Sequence, residues 1–254
     1  MTTKAANSLE RVLAVLEVFS EERLEWTSEE LMERLGYSRP TLYRYLKTLK
    51  EAGFLTSTPN VGFTLGPKVV EMDYLMRKSD RLILDGSAQL KGLTERYSCT
   101  ALLVRWYGDR LLCIDSESSM RNPLTSFPRG RPMPLGPGAI ARSIMAFLPR
   151  RNLVPLIECV IGELQQVGLG ANIEEILDHL KKVKRAGVAV AYGEVTPGVV
   201  GIAAPIFDAG RSPVASVGVT IGGSLVDGAL IAQIASDIKT VAHDLSLSLA
   251  RGRL

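Results

Sequence analysis

Over the first fifty positions, apolar residues recur at helical spacing. Leu9, Val12, Leu13, Leu16 and Phe19 form a stripe that ends in the charged turn Ser20 to Glu25, which predicts a first helix. Thr27-Ser28-Glu29-Glu30 has the form of a capping box, with Thr27 as the cap and Glu30 three residues on. It opens a short helix that stops at Gly36 and carries Leu31 and Leu35 on its apolar side. Leu42, Tyr45, Leu46 and Leu49 then follow the i, i+3, i+4, i+7 spacing of one buried stripe. Ser38 can cap this third helix, and Pro40 suits its first turn, where a missing N–H costs little. The few residues between Gly36 and Pro40 make a tight turn, so the second and third helices form a helix-turn-helix. Ala52-Gly53 ends the third helix, and two short strands, 54–57 and 61–65, flank Thr58-Pro59-Asn60. A hairpin in that place is a wing.

Pro67 to about Asp85 reads as a linker helix with Val70, Tyr74 and Leu75 on one side. Two roles stay open for it: a plain connection, or dimer contact and signal transmission. Helices and strands then alternate. Residues 87–97 are helical, and 100–107 and 111–116 are apolar strands joined by the hairpin turn Gly108-Asp109-Arg110. Leu124 to Phe127 is a further strand, and Gly138 to Phe147 a helix stopped by Pro149. Ile173, Ile176, Leu177, Leu180 and Val183 mark an amphipathic helix; 188–192, 199–207 and 213–221 are strands. The chain closes on a helix over 227–249 with the stripe Ile231, Ile234, Ile238, Val241, Leu245, Leu249. The pattern gives a mixed α+β fold, with an N-terminal winged helix-turn-helix over 1–66, a linker helix over 67–85 and a sheet domain over 86–254.

With 254 residues and 46% hydrophobic content, the chain can bury a core in each of two domains. A net charge of +3 is too small to identify a nucleic-acid binder, so that reading rests on local charge. From Arg34 to Lys50 there are five basic residues and no acidic one, whereas Glu10 to Glu33 carry eight glutamates. The third helix therefore packs one face and offers cations and a phenol on the other. Arg39, Pro40, Thr41, Tyr43, Arg44 and Lys47 are the DNA-facing candidates, set against the plainer reading of a solvated amphipathic surface. Three cysteines, Cys99, Cys113 and Cys159, form no CxxC pair and argue against a disulfide framework or zinc site. No signal core or spanning segment is visible, which predicts a soluble cytoplasmic protein without a membrane partner. His179 and His243 lie on amphipathic helices outside any serine, cysteine or metal motif, and neither GxSxG nor HExxH occurs. No catalytic residue, cofactor or metal is expected. The glycines at 193, 198 and 201 sit between strands and form no phosphate loop.

The first half resembles the IclR family of bacterial transcription regulators. The matching residues are Leu9 to Phe19, then Thr41, Arg44, Leu46 and Leu49, Glu51-Ala52-Gly53-Phe54, and Phe63-Thr64-Leu65-Gly66 at the end of the wing. Pro40 stands where the family more often has serine, and Tyr45 where leucine is usual. The second half resembles that family's effector-binding domain, which is GAF-like in fold. The likeness runs through Gly130 to Leu135, Gly138 to Pro149, Gly187, Gly193-Glu194 and Gly198 to Asp208. Ala141-Arg142 replaces the family's glycine-lysine pair, and Ala191-Tyr192 an acid that some members place before Gly193-Glu194.

The resemblance implies a DNA-binding regulator of a catabolic operon, working as a homodimer or dimer of dimers on a double-stranded operator. It also implies a ligand site at Thr125, Met133, Ala139, Ile140, Val199, Gly201, Gly218 and Thr220. Gly138 precedes a helix, so the N–H groups of Ala139 and Ile140 would meet an anion. The mostly apolar lining and the missing acid near Ala191 point to a carboxylate with an aliphatic or aromatic tail. A GAF-like enzyme or cysteine redox sensor carrying a DNA-binding tether is the competing interpretation.

Overall fold

The computed structural model describes residues 7–59, 62–119 and 127–251. The chain divides into two compact units, Met1–Ser79 and Asp80–Leu254.

In the first unit, helices α1 (Ser8–Glu17), α2 (Ser28–Leu35) and α3 (Arg39–Glu51) pack with a small sheet of β1 (Trp26–Thr27), β2 (Leu55–Ser57) and β3 (Gly62–Leu65), in the order β1-β3-β2. The Thr27–Glu30 capping box opens α2, and Gly36 closes it in the left-handed conformation, φ 65°. A second capping box opens α1: the Asn7 side chain accepts from the Leu9 and Glu10 N–H groups, and Glu10 accepts from the Asn7 N–H. In α3 the buried residues are Leu42, Tyr45, Leu46 and Leu49, the four members of its stripe. Ser38 sits at the cap position but makes no cap bond; its hydroxyl donates to Thr41 Oγ1 at 3.0 Å. Pro40 removes one of the two first-turn N–H groups that a cap side chain can hold, and the hydroxyl is turned to the Thr41 side chain instead of to the other.

The stripe expected on α1 is only partly buried. Val15 is fully buried, while Leu9 and Leu13 are 76% and 57% exposed, and Phe19 lies past the helix end, half-buried on the same core. The apolar positions of α1 span more than one face, and the small unit covers one. Tyr45, the departure from leucine, stacks edge-on against Tyr37 and brings its hydroxyl 3.4 Å from that of Ser8, reaching α1 as leucine could not.

Helix α4 (Pro67–Ser79) is seated behind the wing by Gly66 N–H to Phe54 O and Lys68 N–H to Gly53 O. A Cβ on Gly66 would stand 2.3 Å from the Gly53 oxygen, so only glycine permits this approach. The linker helix expected over 67–85 ends at Ser79, and the helix expected over 87–97 begins at Arg81 as α5 (Arg81–Arg96). Asp80 makes the break: it is extended, and its Oδ1 accepts from both the Leu82 N–H and the Arg105 guanidinium.

The second unit is built on a six-stranded antiparallel sheet, β4 (Thr100–Trp106), β5 (Leu111–Ser118), β6 (Pro132–Met133), β7 (Ala189–Tyr192), β8 (Val199–Phe207) and β9 (Pro213–Gly222). Its order is β6-β5-β4-β9-β8-β7. Helices α5 and α9 (Gly228–Arg251) cover one face; α6 (Ala139–Met145), α7 (Arg150–Gln166) and α8 (Ile173–Ala186) cover the other. The strands are read twice, as period two requires. Ala101 and Leu103 of β4 join the α5/α9 core, while Leu102 and Val104 join the α6–α8 core. The stripe of α9 is the side it buries, centred on Ile234, Ile238, Val241 and Leu245. Sequence patterning missed α7 because Pro155 stands inside it; the helix survives with a kink at Val160. It also missed β6, which has two residues and pairs with Leu111 and Leu112. The strand expected over Leu124–Phe127 lies, apart from Phe127, outside the described residues. Among the described residues no helix is long and apolar enough to cross a membrane.

Candidate nucleic-acid interface and ligand cavity

The face of α3 opposite its buried stripe carries Arg39, Pro40, Tyr43, Arg44 and Lys47 exposed, with Thr41 half-buried beside them. Local contacts set their posture. The Arg39 guanidinium lies 5.5 Å from the Tyr43 ring centre, and the Tyr43 hydroxyl is 3.3 Å from that of Ser28, at the start of α2. That hydrogen bond, with Arg39 second, holds the phenol below its ordinary pKa. Lys47 is 3.8 Å from Glu51 in a solvent-exposed pair, a contact weak enough to give up for a phosphate. The six predicted residues thus share one accessible strip on the second helix of a helix-turn-helix.

In the second unit the alternation of β8 and β9 explains a cavity. Val200, Ile202, Val217, Val219 and Ile221 fill the α5/α9 face. The opposite positions are Gly201, Ala203, Gly218 and Thr220, too small to fill the space beneath α6. The cavity there has a volume of about 60 Å³. Met133, Ala139, Ile140 and Val199 line it together with Gly201, Gly218 and Thr220, so seven of the eight expected positions surround one space. Thr125 lies outside the described residues. The two glycines differ in kind. A Cβ on Gly218 would meet the Ile202 carbonyl oxygen at 2.8 Å, whereas one on Gly201 would meet only the Ala139 Cβ at 3.6 Å. Gly218 is needed for helix–sheet approach, and Gly201 leaves space. The Thr220 hydroxyl has one long bond, to the Thr100 carbonyl oxygen at 3.4 Å.

The wall near Ala191 lacks the acid that some family members carry, but the cavity is not free of acid. Ala191 does line the cavity, but so does Glu194, three residues on. Its carboxylate accepts from the Gly138 N–H at 2.8 Å and from Arg142 Nη2 at 2.6 Å. The end of α6 therefore already faces an anion of the chain's own. Arg142 is 2% exposed; burial pushes its pKa down and Glu194 opposes this. Its Nη2 also donates to the Val190 carbonyl, and its Nη1 is 3.2 Å from His179 Nε2. His179, on α8 and outside any catalytic motif, is half-buried against Arg142. Burial first, then Arg142, lower its pKa and favour the neutral ring that can accept from a guanidinium. Sequence held one signal for this cluster, the adjacency of Gly193 and Glu194, which carries no geometry by itself.

Cys99 and Cys113 are buried, and burial pushes both thiols up to about 11. They are therefore poor nucleophiles and poor redox sensors. Among the described residues no cluster of His, Cys, Asp and Glu could hold a metal ion.

A winged helix-turn-helix with a basic second helix, followed in the same chain by a sheet unit that encloses a small cavity, is the architecture of a transcription regulator with a separate effector-binding domain. Comparison with known proteins bears this out. Residues 8–59 match the IclR helix-turn-helix domain, and residues 81–247 match the C-terminal domain of the bacterial transcriptional regulator IclR. The chain belongs to the IclR family of transcription regulators, and is a regulator rather than an enzyme. It is 25% identical over 243 residues to the regulator XynR of Escherichia coli K12, covering 95% of this chain and 96% of that protein. Among solved structures, an IclR-type regulator of Silicibacter sp. TM1040 has a TM-score of 0.81 at 19% identity, with 96% of each chain covered. An IclR homologue of Microbacterium hydrocarbonoxydans, solved with 4-hydroxybenzoate, has a TM-score of 0.76 at 18% identity, covering 96% of this chain and 99% of that one.

The buried thiols give a pH prediction. Their pKa values are raised in the folded chain, so the stability they contribute is fully present below the ordinary thiol value of 9.0 and is lost as pH rises toward about 11. The melting temperature should fall over that window, and a Cys99→Ala, Cys113→Ala double variant should lose less of its own stability across it. A thiol reagent at pH 8 should label native protein at the exposed Cys159 alone among the three cysteines.

Proposed function

We propose that this regulator controls a catabolic operon in the cytoplasm, binding a double-stranded operator through α3 and a small organic acid in the cavity beneath α6. The observation that carries the second half is the cavity itself, with a mostly apolar wall, two threonine hydroxyls and one charged group. The neighbour from Microbacterium hydrocarbonoxydans, which holds an aromatic acid, supports the chemical class. On α3, Arg39 and Tyr43 read base edges near the helix start, Thr41 and Pro40 set the first turn against the backbone, and Arg44 and Lys47 hold phosphates. Pro40 brings no N–H, so the phosphate contact that a backbone donor could make there falls to the side chains.

Dimerisation is part of this reading, because one short helix reads few base pairs and paired half-sites supply the rest. Helix α4 supports it: Val70, Tyr74 and Leu75 are 72%, 59% and 62% exposed, and no residue of the helix is buried. On α1, Leu9 and Leu13 offer the same kind of surface. Phe19 is half-buried on its own core.

Binding isotherms at several salt concentrations test the DNA assignment. Arg39→Ala should relax discrimination at one base by about 1–3 kcal/mol, while Lys47→Ala should weaken all sequences alike and lower the salt slope by about one. Unchanged specificity and slope in both variants would remove α3 from the groove.

For the ligand, a thermal-shift screen of aliphatic and aromatic carboxylates should find one that stabilises the fold by roughly 2.7 kcal/mol at 100 times its dissociation constant. Gly201→Val should abolish that shift and leave operator binding intact, since the added methyl groups take up cavity space without the backbone collision that Gly218 would suffer. A shift that survives Gly201→Val places the ligand elsewhere.

Sedimentation should show a dimer or tetramer at micromolar concentration, and Tyr74→Glu with Leu75→Glu should shift it toward monomer. A wild-type monomer with and without DNA refutes the assembly.

A further inference from the structure

Glu194 is the one charged residue among the described residues that line the cavity, and its sign is the same as that of the proposed effector. An acid approaching this wall meets a carboxylate whose two oxygens are already engaged, one by Arg142 and one by the Gly138 N–H. The cation lies just behind. Arg142 is 2% exposed, its Nη1 faces His179, and its Nε has no acceptor among the described residues. A guanidinium buried to this degree has to keep an anion beside it, because an unpaired buried charge is far costlier than a paired one.

We propose that an acidic effector binds by carboxylate exchange. The effector's carboxylate takes the place of Glu194 on Arg142 and on the Gly138 N–H, and Glu194 swings out to water. This rests on the acid reading of the cavity given above. Arg142 keeps one anion throughout, no proton moves, and the hydrogen bonds lost and gained are of the same kind. Glu194 is the member of the pair nearer to solvent: its side chain is 11% exposed, against 3% for Arg142. The exchange itself is close to balanced, and burial of the effector's apolar body against Met133, Ala139 and Val199 drives binding.

The segment that carries Glu194 is built to move as a short unit. Gly193 and Gly198 bracket it in left-handed conformations, φ 65° and 73°, and both are pinned: Gly193 N–H donates to Val199 O, and Gly198 O accepts from Gly223 N–H. The Thr196 carbonyl accepts from the Val199 N–H, so the part free to swing from α6 while the ends of β7 and β8 stay in place is the start of the segment, Glu194 and Val195. Occupation of the cavity is thereby converted into release of one loop from one helix. An uncharged analogue cannot make this exchange, since it would leave Arg142 without an anion, and the site is selective for acids by that route.

The test is isothermal titration of the full chain with benzoate, 4-hydroxybenzoate and butyrate, each beside its primary amide, for wild type and for Glu194→Gln. Glutamine keeps the size of the side chain but removes the competing charge. Every acid that binds wild type should bind Glu194→Gln about tenfold more tightly, the worth of one charge-assisted hydrogen bond, while the amides change little. Should that variant unfold, Glu194→Asp, whose shorter arm cannot hold both partners, should also bind the acids more tightly than wild type does. Acid affinity that is unchanged or weaker in these variants, or amides that gain as much as the acids, overturns the exchange while leaving the acid reading in place. If no acid binds either wild type or variant, the acid reading falls and the exchange falls with it.

Discussion

A sheet covered by helices on both faces must supply a filled layer to each, and period-two alternation makes every strand serve both at once. In β8 and β9 the demand is met on one side only. Val200, Ile202, Ile206, Val217, Val219 and Ile221 turn to α5 and α9, and beneath α6 the two strands present mostly small residues, Gly201, Ala203, Gly218 and Thr220, with Val199 beside them. The pairing register puts Gly201 opposite Thr220 and Ala203 opposite Gly218, so the small positions gather in one patch instead of being scattered. Helix α6 closes over that patch as far as Gly218 allows, and the space left next to Gly201 becomes the cavity. The same alternation that stabilises the α5/α9 core thus creates the cavity, and a one-residue slip in either strand would destroy both.

This account also explains what could be read in advance. The stripe of α3, the capping box at Thr27 and the alternation of β4, β8 and β9 are local patterns, and each produced the element it implied. Seven of the described cavity positions came from resemblance, and they meet in space because their strands are neighbours in register. What failed was decided by partners distant in sequence. Leu9 and Leu13 look like core until the small unit turns out to cover only the Val15 side of α1. Helix 67–85 looks continuous until Asp80 accepts Arg105, 25 residues on, and caps a new helix there. Helix α7 was hidden by Pro155, whose local penalty is outweighed by burial of Leu153, Ile157 and Leu164 on the same sheet face. Glu194 was visible as a residue but not as a wall, because its meaning depends on Arg142, 52 positions earlier.

That ion pair is hard to explain as a stabilising device. Removing two charges from water costs several kcal/mol for each ion, and a well-packed apolar pair of similar volume commonly does as well or better. Holding α6 to the sheet would not require charge, since Ile140, Ile144 and Met145 already bury against it. Arginine at this position does something apolar residues cannot: its planar fork addresses His179 on α8, the Val190 carbonyl on β7 and Glu194 on the following loop at the same time. Three pieces of chain that meet behind the cavity are fixed relative to one cation. The contacts to His179 and Val190 belong to the framework, whereas the contact to Glu194 is the only one of the three made by a residue that also faces the cavity. A buried cation with two fixed partners and one that borders the ligand space is a poor choice for rigidity alone and a good one for reporting occupation, because only the cavity-side partner can change without dismantling the rest.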